Sequence, residues 1–140
     1  MKTLFKNSTL LYCLLFAPII TAQVLIVHPQ NTAAELSRND LRAIFAMRIP
    51  HWPDGTTIQV FVLEDKNTVH ISFCKHLLGI FPYQLRRIWD RQVFSGTGIS
   101  PTTVKTEQEM REQVAKTKGA IGYIRPEKVD ASIKTIEAIK

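Results

Sequence analysis

The stretch FVLEDKNTVHISF, residues 61–73, decides how the chain is read. Phe61-Val62-Leu63 is a run of strand formers that meets two carboxylates, Glu64 and Asp65. A helical pattern then opens around Asn67 and Thr68. Aromatic and β-branched residues suit a pleated, half-buried surface. Asp, Asn and Thr suit helix starts, because their side-chain oxygens accept a free backbone N–H. A strand feeding directly into a helix is the unit of α/β architecture. Such a turn carries unsatisfied N–H groups and partial positive charge, which makes it a common anion site. Helix capping alone explains Asp65, Asn67 and Thr68 equally well.

The same alternation extends in both directions. Upstream, Val24-Leu25-Ile26-Val27 is a continuous apolar run, read as a strand buried on both faces. In LSRNDLRAIF, Ser37 and Asp40 have capping-box spacing, and Leu41, Ile44 and Phe45 make one helical stripe that ends before Pro50. HWPDGTT is a turn leading into the strand Thr57 to Leu63. Downstream, Val69, Phe73, Cys74, Leu77 and Leu78 recur at helical spacing until Gly79. Pro82 opens a further helix with Leu85, Ile88, Trp89 and Val93 on one face and Arg86, Arg87, Asp90 and Arg91 on the other. Thr106 and Glu109 cap a helix that runs through Met110 and Val114 to Lys118, and Ala120 to Ile124 is a strand. Ile133, Ile136 and Ile139 fit a final strand or a short helix. The expected fold is α/β, a mainly parallel sheet flanked by helices.

The 140 residues predict one domain, and 45% hydrophobic with 21% charged residues is an ordinary globular composition. The first residues read differently. Lys2 and Lys6, the apolar run Leu10 to Phe16, and Ile20-Thr21-Ala22 form the three parts of a signal peptide, residues 1–22, with cleavage after Ala22. Pro18 interrupts the run, which is too short for a span of about 20 residues. The expected mature domain, residues 23–140, is therefore periplasmic, with no membrane span. Losing Lys2 and Lys6 lowers its net charge from +6 to +4, and Cys74 becomes its only cysteine. A secretory address argues against nucleic acid as partner, and moderate positive charge fits anionic solutes or surfaces.

Catalytic signals are weak. His28, His51, His70 and His76 show no metal-ligand spacing, and no Gly-x-Ser-x-Gly elbow supports a hydrolase. No metal, cofactor or enzyme activity is expected. FSGTG lacks the Lys-Ser/Thr of a phosphate loop and follows a helix, so it reads as a helix end. Cys74 is expected to be buried, and Trp52 and Trp89 structural. Two candidate sites remain. At the turn, Asp65 could accept the hydrogen of a monoprotonated oxyanion while Lys66, Asn67, Thr68 and nearby N–H groups hold its other oxygens. On the next helix, Arg86 could pair with Asp90 at i+4, and Arg86, Arg87 and Arg91 could dock an acidic partner.

Taken in order, LSRNDLRAIFAMRIPHWPDGTTIQVFV, FCKHLLG, IWDRQVFSGTG and AKTKGAIGYI resemble short, single-domain members of the phosphate-type periplasmic substrate-binding protein superfamily. The resemblance implies about one lobe of a class II binding-protein fold and a kinship with phosphate ABC transport. Full-length relatives clamp the anion between two lobes, and the resemblance implies a lone lobe here. At the corresponding turn they read Arg-Ser-Asp-Gly-Ser-Gly-Thr. Here Leu63 stands for the arginine, Glu64 for the first serine, Lys66 and Thr68 for the glycines, Asn67 for the second serine and Val69 for the threonine. Asp65 alone is retained. Two functions follow as expectations: a periplasmic solute-binding-like protein holding a small phosphate-like oxyanion weakly, or a non-transport interaction module that docks an envelope protein. A lone lobe could also form a homodimer.

Overall fold

In the computed structural model, described for residues 22–96 and 98–140, six strands form one mixed sheet. The elements run β1 (Val24–Val27), β2 (Glu35–Ser37), α1 (Arg38–Phe45), β3 (Gln59–Leu63), α2 (Thr68–Phe73), α3 (Pro82–Phe94), β4 (Thr102–Val104), α4 (Glu107–Lys116), β5 (Ala120–Ile124) and β6 (Lys134–Ile139). The predicted signal peptide falls on residues 1–21, outside the described residues, apart from Ala22. No described helix is long and apolar enough to cross a membrane.

Strand order is β2-β6-β1-β5-β3-β4. β2 is parallel to β6, β5 to β3, and β3 to β4, whereas β1 is antiparallel to both β5 and β6. Five strands therefore point one way and β1 alone is reversed, so the expected mainly parallel sheet holds. The terminal isoleucine segment resolves into a strand because Ile136 pairs with Leu25 of β1 and is buried. Sequence patterning does not predict β2 and β4. Each has three residues, too few for a period-2 signal, and each exists through pairing with a distant strand.

Side chains alternate across β5 and set the two helical layers. Tyr123 stacks on Phe73 of α2, with centroids 3.8 Å apart, and Phe45 of α1 lies 4.8 Å from Phe73. Trp89 of α3 donates its indole N–H to Phe45 O at 2.7 Å. On the other face, Gly122 lets α4 close in: a Cβ there would lie 2.5 Å from Met110 Sδ. Gly119, at φ 81°, brings the chain back beneath Thr57, where a Cβ would lie 2.1 Å from Thr57 O. Its carbonyl accepts from Trp52 Nε1 and Gln59 N, which ties the PDG turn to the sheet.

Helix boundaries follow the predicted caps. Ser37 Oγ accepts from Asp40 N, and Thr106 Oγ1 accepts from Glu109 N, both at 3.1 Å. α4 stops at Lys116, two residues earlier than expected. The helix starting at Thr68 does not stay α-helical. It passes into a π-helical turn, Cys74–Leu78, before Gly79 closes it in the left-handed conformation. The last carbonyls of that turn are met by side chains from α1: Arg38 Nη2 donates to His76 O and Arg42 Nε to Leu78 O. On α3 the predicted apolar stripe is only half realised. Leu85 and Trp89 are buried, but Val93, one turn further along the same stripe, is 50% exposed.

Candidate functional site

Parallel strands that feed helices gather their turns at one sheet edge, where ligands of α/β proteins characteristically bind. At this edge β2 leads into α1, β3 into α2 and β4 into α4. The stretch 61–73 lies in its middle. Leu63 is fully buried, Glu64 is exposed, and Asn67 N donates to Glu64 O at 2.9 Å to close the turn. Asn67 Oδ1 accepts from Val69 N at 2.9 Å, so this oxygen is the helix cap. Lys66 and Thr68 are exposed.

Asp65 points toward α3. Arg86 grips it side-on, Nε to Oδ2 at 2.9 Å and Nη2 to Oδ1 at 2.8 Å. This differs from the expected i+4 partnership of Arg86 with Asp90, since a planar two-donor fork matches a carboxylate facing it across the groove. The hydrogen bonds from Arg86 hold Asp65 below the usual carboxylate range, and Asp65 in turn raises Arg86. Both side chains remain 37% exposed.

Beneath this pair lies a buried polar chain. Leu63 N donates to Tyr123 Oη at 2.9 Å, and Tyr123 Oη is hydrogen-bonded to His70 Nδ1. Burial raises the Tyr123 hydroxyl well above its ordinary range, so it keeps its proton. Having accepted from Leu63, it donates that proton to Nδ1, which assigns the His70 proton to Nε2. Nε2 faces Cys74 Sγ at 3.5 Å and Asp65 Oδ1 at 4.0 Å. His70 is completely buried, and desolvation lowers it from 6.5 to about 4, so it is neutral at pH 7. Cys74 beside His70 has the composition of a nucleophile–base pair. Its thiol is fully buried, however, and burial pushes it up to about 12, so it is unreactive in the folded protein.

The two candidate sites meet in one place. An open groove of about 800 Å³ is lined by Asp65 and Lys66 from the turn, Ile71 from α2, and Phe81, Pro82, Tyr83, Arg86 and Arg87 from the start of α3. Asn67, Thr68 and Arg91 do not line it; Asn67 serves as the cap of α2. Phe81 and Tyr83 are 51% and 57% exposed, with rings near-parallel at a centroid separation of 5.7 Å. Arg87 lies 5.7 Å from the Tyr83 ring centre, and Arg86 lies 4.9 Å from that of Trp89. Elsewhere on the edge, Arg125 closes onto the nearly buried Glu107 with its backbone N at 2.7 Å and Nε at 2.8 Å.

Sequence reasoning missed His70 and the pairings of Arg86 with Asp65 and of Arg125 with Glu107. His70 could have been found, since 70, 73, 74 and 77 fall on one helical stripe and place it among the buried positions. Arg86 to Asp65 and Arg125 to Glu107 are contacts between elements, for which a single sequence carries no signal. Among the described residues no group of three or more His, Cys, Asp or Glu could hold a metal ion.

Comparison with known proteins agrees with this architecture. A family model described as a PBP superfamily domain matches residues 14–138. A search of curated protein sequences returns no match. Among solved structures, a phosphate ABC transporter substrate-binding protein from Clostridium perfringens, determined with bound phosphate, aligns with a TM-score of 0.68 at 20% identity over 83% of this chain and 44% of that one. An ABC-type phosphate transport receptor from Vibrio cholerae aligns with a TM-score of 0.66 at 20% identity over 83% of this chain and 45% of that one. PstS from Borrelia burgdorferi gives a TM-score of 0.63 at 16% identity over 84% of this chain and 47% of that one. The chain therefore spans less than half the length of these proteins. At such identities the likeness is one of fold.

Proposed function

This chain belongs to the PBP superfamily, and from that membership we propose that it is a periplasmic solute-binding domain, residues 23–140, whose ligand is a small oxyanion of the phosphate type. The ligand sits at the turn after β3. Lys66 and Arg86 supply positive charge, Asn67 and Thr68 supply side-chain donors from the turn beside the groove, and Asp65 accepts the hydrogen of a monoprotonated oxyanion. The observation that carries this reading is the two-point grip of Arg86 on Asp65. The resemblance places an arginine at position 63, where this chain has leucine; α3 returns a guanidinium to the same turn from a different element. An ionised carboxylate has about four acceptor positions, so pairing with Arg86 leaves Asp65 able to accept from a ligand. The site is open and its charges are half solvated, which predicts weak binding. Isothermal titration with inorganic phosphate near neutral pH tests it. Binding in the millimolar range that is lost in Arg86→Ala supports the reading, and the absence of heat at such concentrations sinks it.

A second reading has its own observation. Tyr83, Arg87, Arg91 and Phe94 repeat at i, i+4, i+8 and i+11 on the outer face of α3, and all four are exposed, Phe94 to 91%. Aromatic residues and arginine are the types enriched at interfaces. This stripe supports an envelope interaction module and replaces the half-buried Arg86 of the predicted docking face with two aromatic residues. Arg87→Glu combined with Arg91→Glu would release a partner retained from envelope extract if this reading holds. A complex unaffected by the charge reversal counts against it.

A further inference from the structure

The groove is larger and more aromatic than a tetrahedral oxyanion requires. About 800 Å³ of open space lies between Asp65–Lys66 and the start of α3, and half of the lining side chains are apolar or aromatic. That volume is in the range of sites for organic molecules. Its charge is unbalanced: Lys66, Arg86 and Arg87 face a single carboxylate, Asp65. Among the described residues neither Lys66 nor Arg87 has a carboxylate within ion-pairing distance.

The aromatic wall stands beside these cations. Phe81 is anchored as the cap residue of α3, its N–H donating to Gln84 Oε1 at 2.9 Å, and Tyr83 follows in the first turn. Their near-parallel rings form an exposed platform, and Arg87 lies over Tyr83 at its cationic end. Flat rings with guanidinium groups beside them bind ligands that combine a planar apolar body with an anionic head. Inorganic phosphate would leave the platform unused.

Resting on the reading of the turn as an oxyanion site, we infer that the groove selects a small organic phosphate monoester bearing a flat ring. Its phosphate lies among Lys66, Arg86 and Arg87, and its ring lies against Phe81 and Tyr83. The charge excess excludes a cationic ligand, and the exposed rings distinguish an aryl phosphate from the bare anion. Stacking of one planar ring on aromatic side chains contributes enough for roughly a tenfold gain in affinity.

Titration of the purified protein with inorganic phosphate, phenyl phosphate and phenol, followed by calorimetry, tests this. The expected result is phenyl phosphate binding roughly tenfold tighter than phosphate, with phenol showing no measurable binding. The preference should fall to near one in Phe81→Ala and in Tyr83→Ala. Both side chains are half exposed, so neither variant empties the core. Equal affinity for phosphate and phenyl phosphate overturns the inference and leaves the oxyanion reading standing. A preference that survives both substitutions also overturns it, as does phenol binding as tightly as phenyl phosphate. If neither anion binds, the inference fails together with the reading beneath it.

Discussion

Acidification should destabilise the folded protein through one residue, His70. In the unfolded chain this imidazole takes up a proton near pH 6.5; in the fold burial lowers it to about 4. Between those values the unfolded chain holds more protons, so falling pH favours unfolding. The stability tied to neutral His70 is whole above about pH 6.5, declines through the window, and levels off below about pH 4. The full difference corresponds to about 3 kcal/mol, and about 2 kcal/mol of it is gone by about pH 5. The groups facing His70 are Tyr123, Cys74, Asp65 and, behind Asp65, Arg86. None of them changes charge in this window: Asp65 is lowered from 3.8, Arg86 is raised, and Tyr123 and Cys74 stay protonated. Urea titrations followed by the fluorescence of the buried Trp52 and Trp89 at about pH 7.5, 6 and 5 read the effect directly. His70→Gln should be less stable at neutral pH, because the Tyr123 hydroxyl loses its acceptor, yet flatter across the window. Equal unfolding midpoints at about pH 7.5 and 5 in the unsubstituted protein would refute the reasoning, and so would an unchanged slope in His70→Gln.

Three further outcomes check the fold around the site. Asn67→Ala removes the cap on Val69 N and should cost about 1 kcal/mol in urea unfolding. Gly119→Ala should cost about 3 kcal/mol, since it forces a Cβ to 2.1 Å from Thr57 O at φ 81°. Gly55→Ala, with φ 88° and nothing within 4 Å, should cost only about 1 kcal/mol of backbone strain, and equal losses for the two glycines would contradict the packing. Cys74, the only cysteine of a chain starting at Gln23, should resist a thiol reagent until the protein is unfolded. Rapid labelling of the native protein would show the helix to be less closed than described.

Local chemistry was legible in the sequence. Ser37, Asn67 and Thr106 cap the helices as their types and spacing predict, and the apolar runs at 24–27 and 120–124 are central strands. What escaped was set by distant partners. β4 exists because Thr102 to Val104 pair with Phe61 to Leu63, and the π-helical turn after Phe73 ends against arginines supplied by α1. Val93 obeys the helical period yet stays half exposed, while Leu85 and Trp89 on the same stripe are buried. At the site, the turn was located by its strand-to-helix pattern, whereas the partner of Asp65 lies 21 residues away on a helix whose arginines look locally like a solvated face. Periodicity places a residue on a face; it cannot say which other face it meets.

If Arg86 makes the Asp65 turn an oxyanion site, phosphate must perturb the turn and Arg86 together. An amide and arginine Nε correlation spectrum recorded during phosphate titration near neutral pH tests that most directly. Shifts concentrated in residues 64–68 and at Arg86 Nε–H, absent from an otherwise intact Arg86→Ala spectrum, are the predicted result. Shifts scattered over the surface lysines and arginines, or unchanged at the turn in Arg86→Ala, would contradict it.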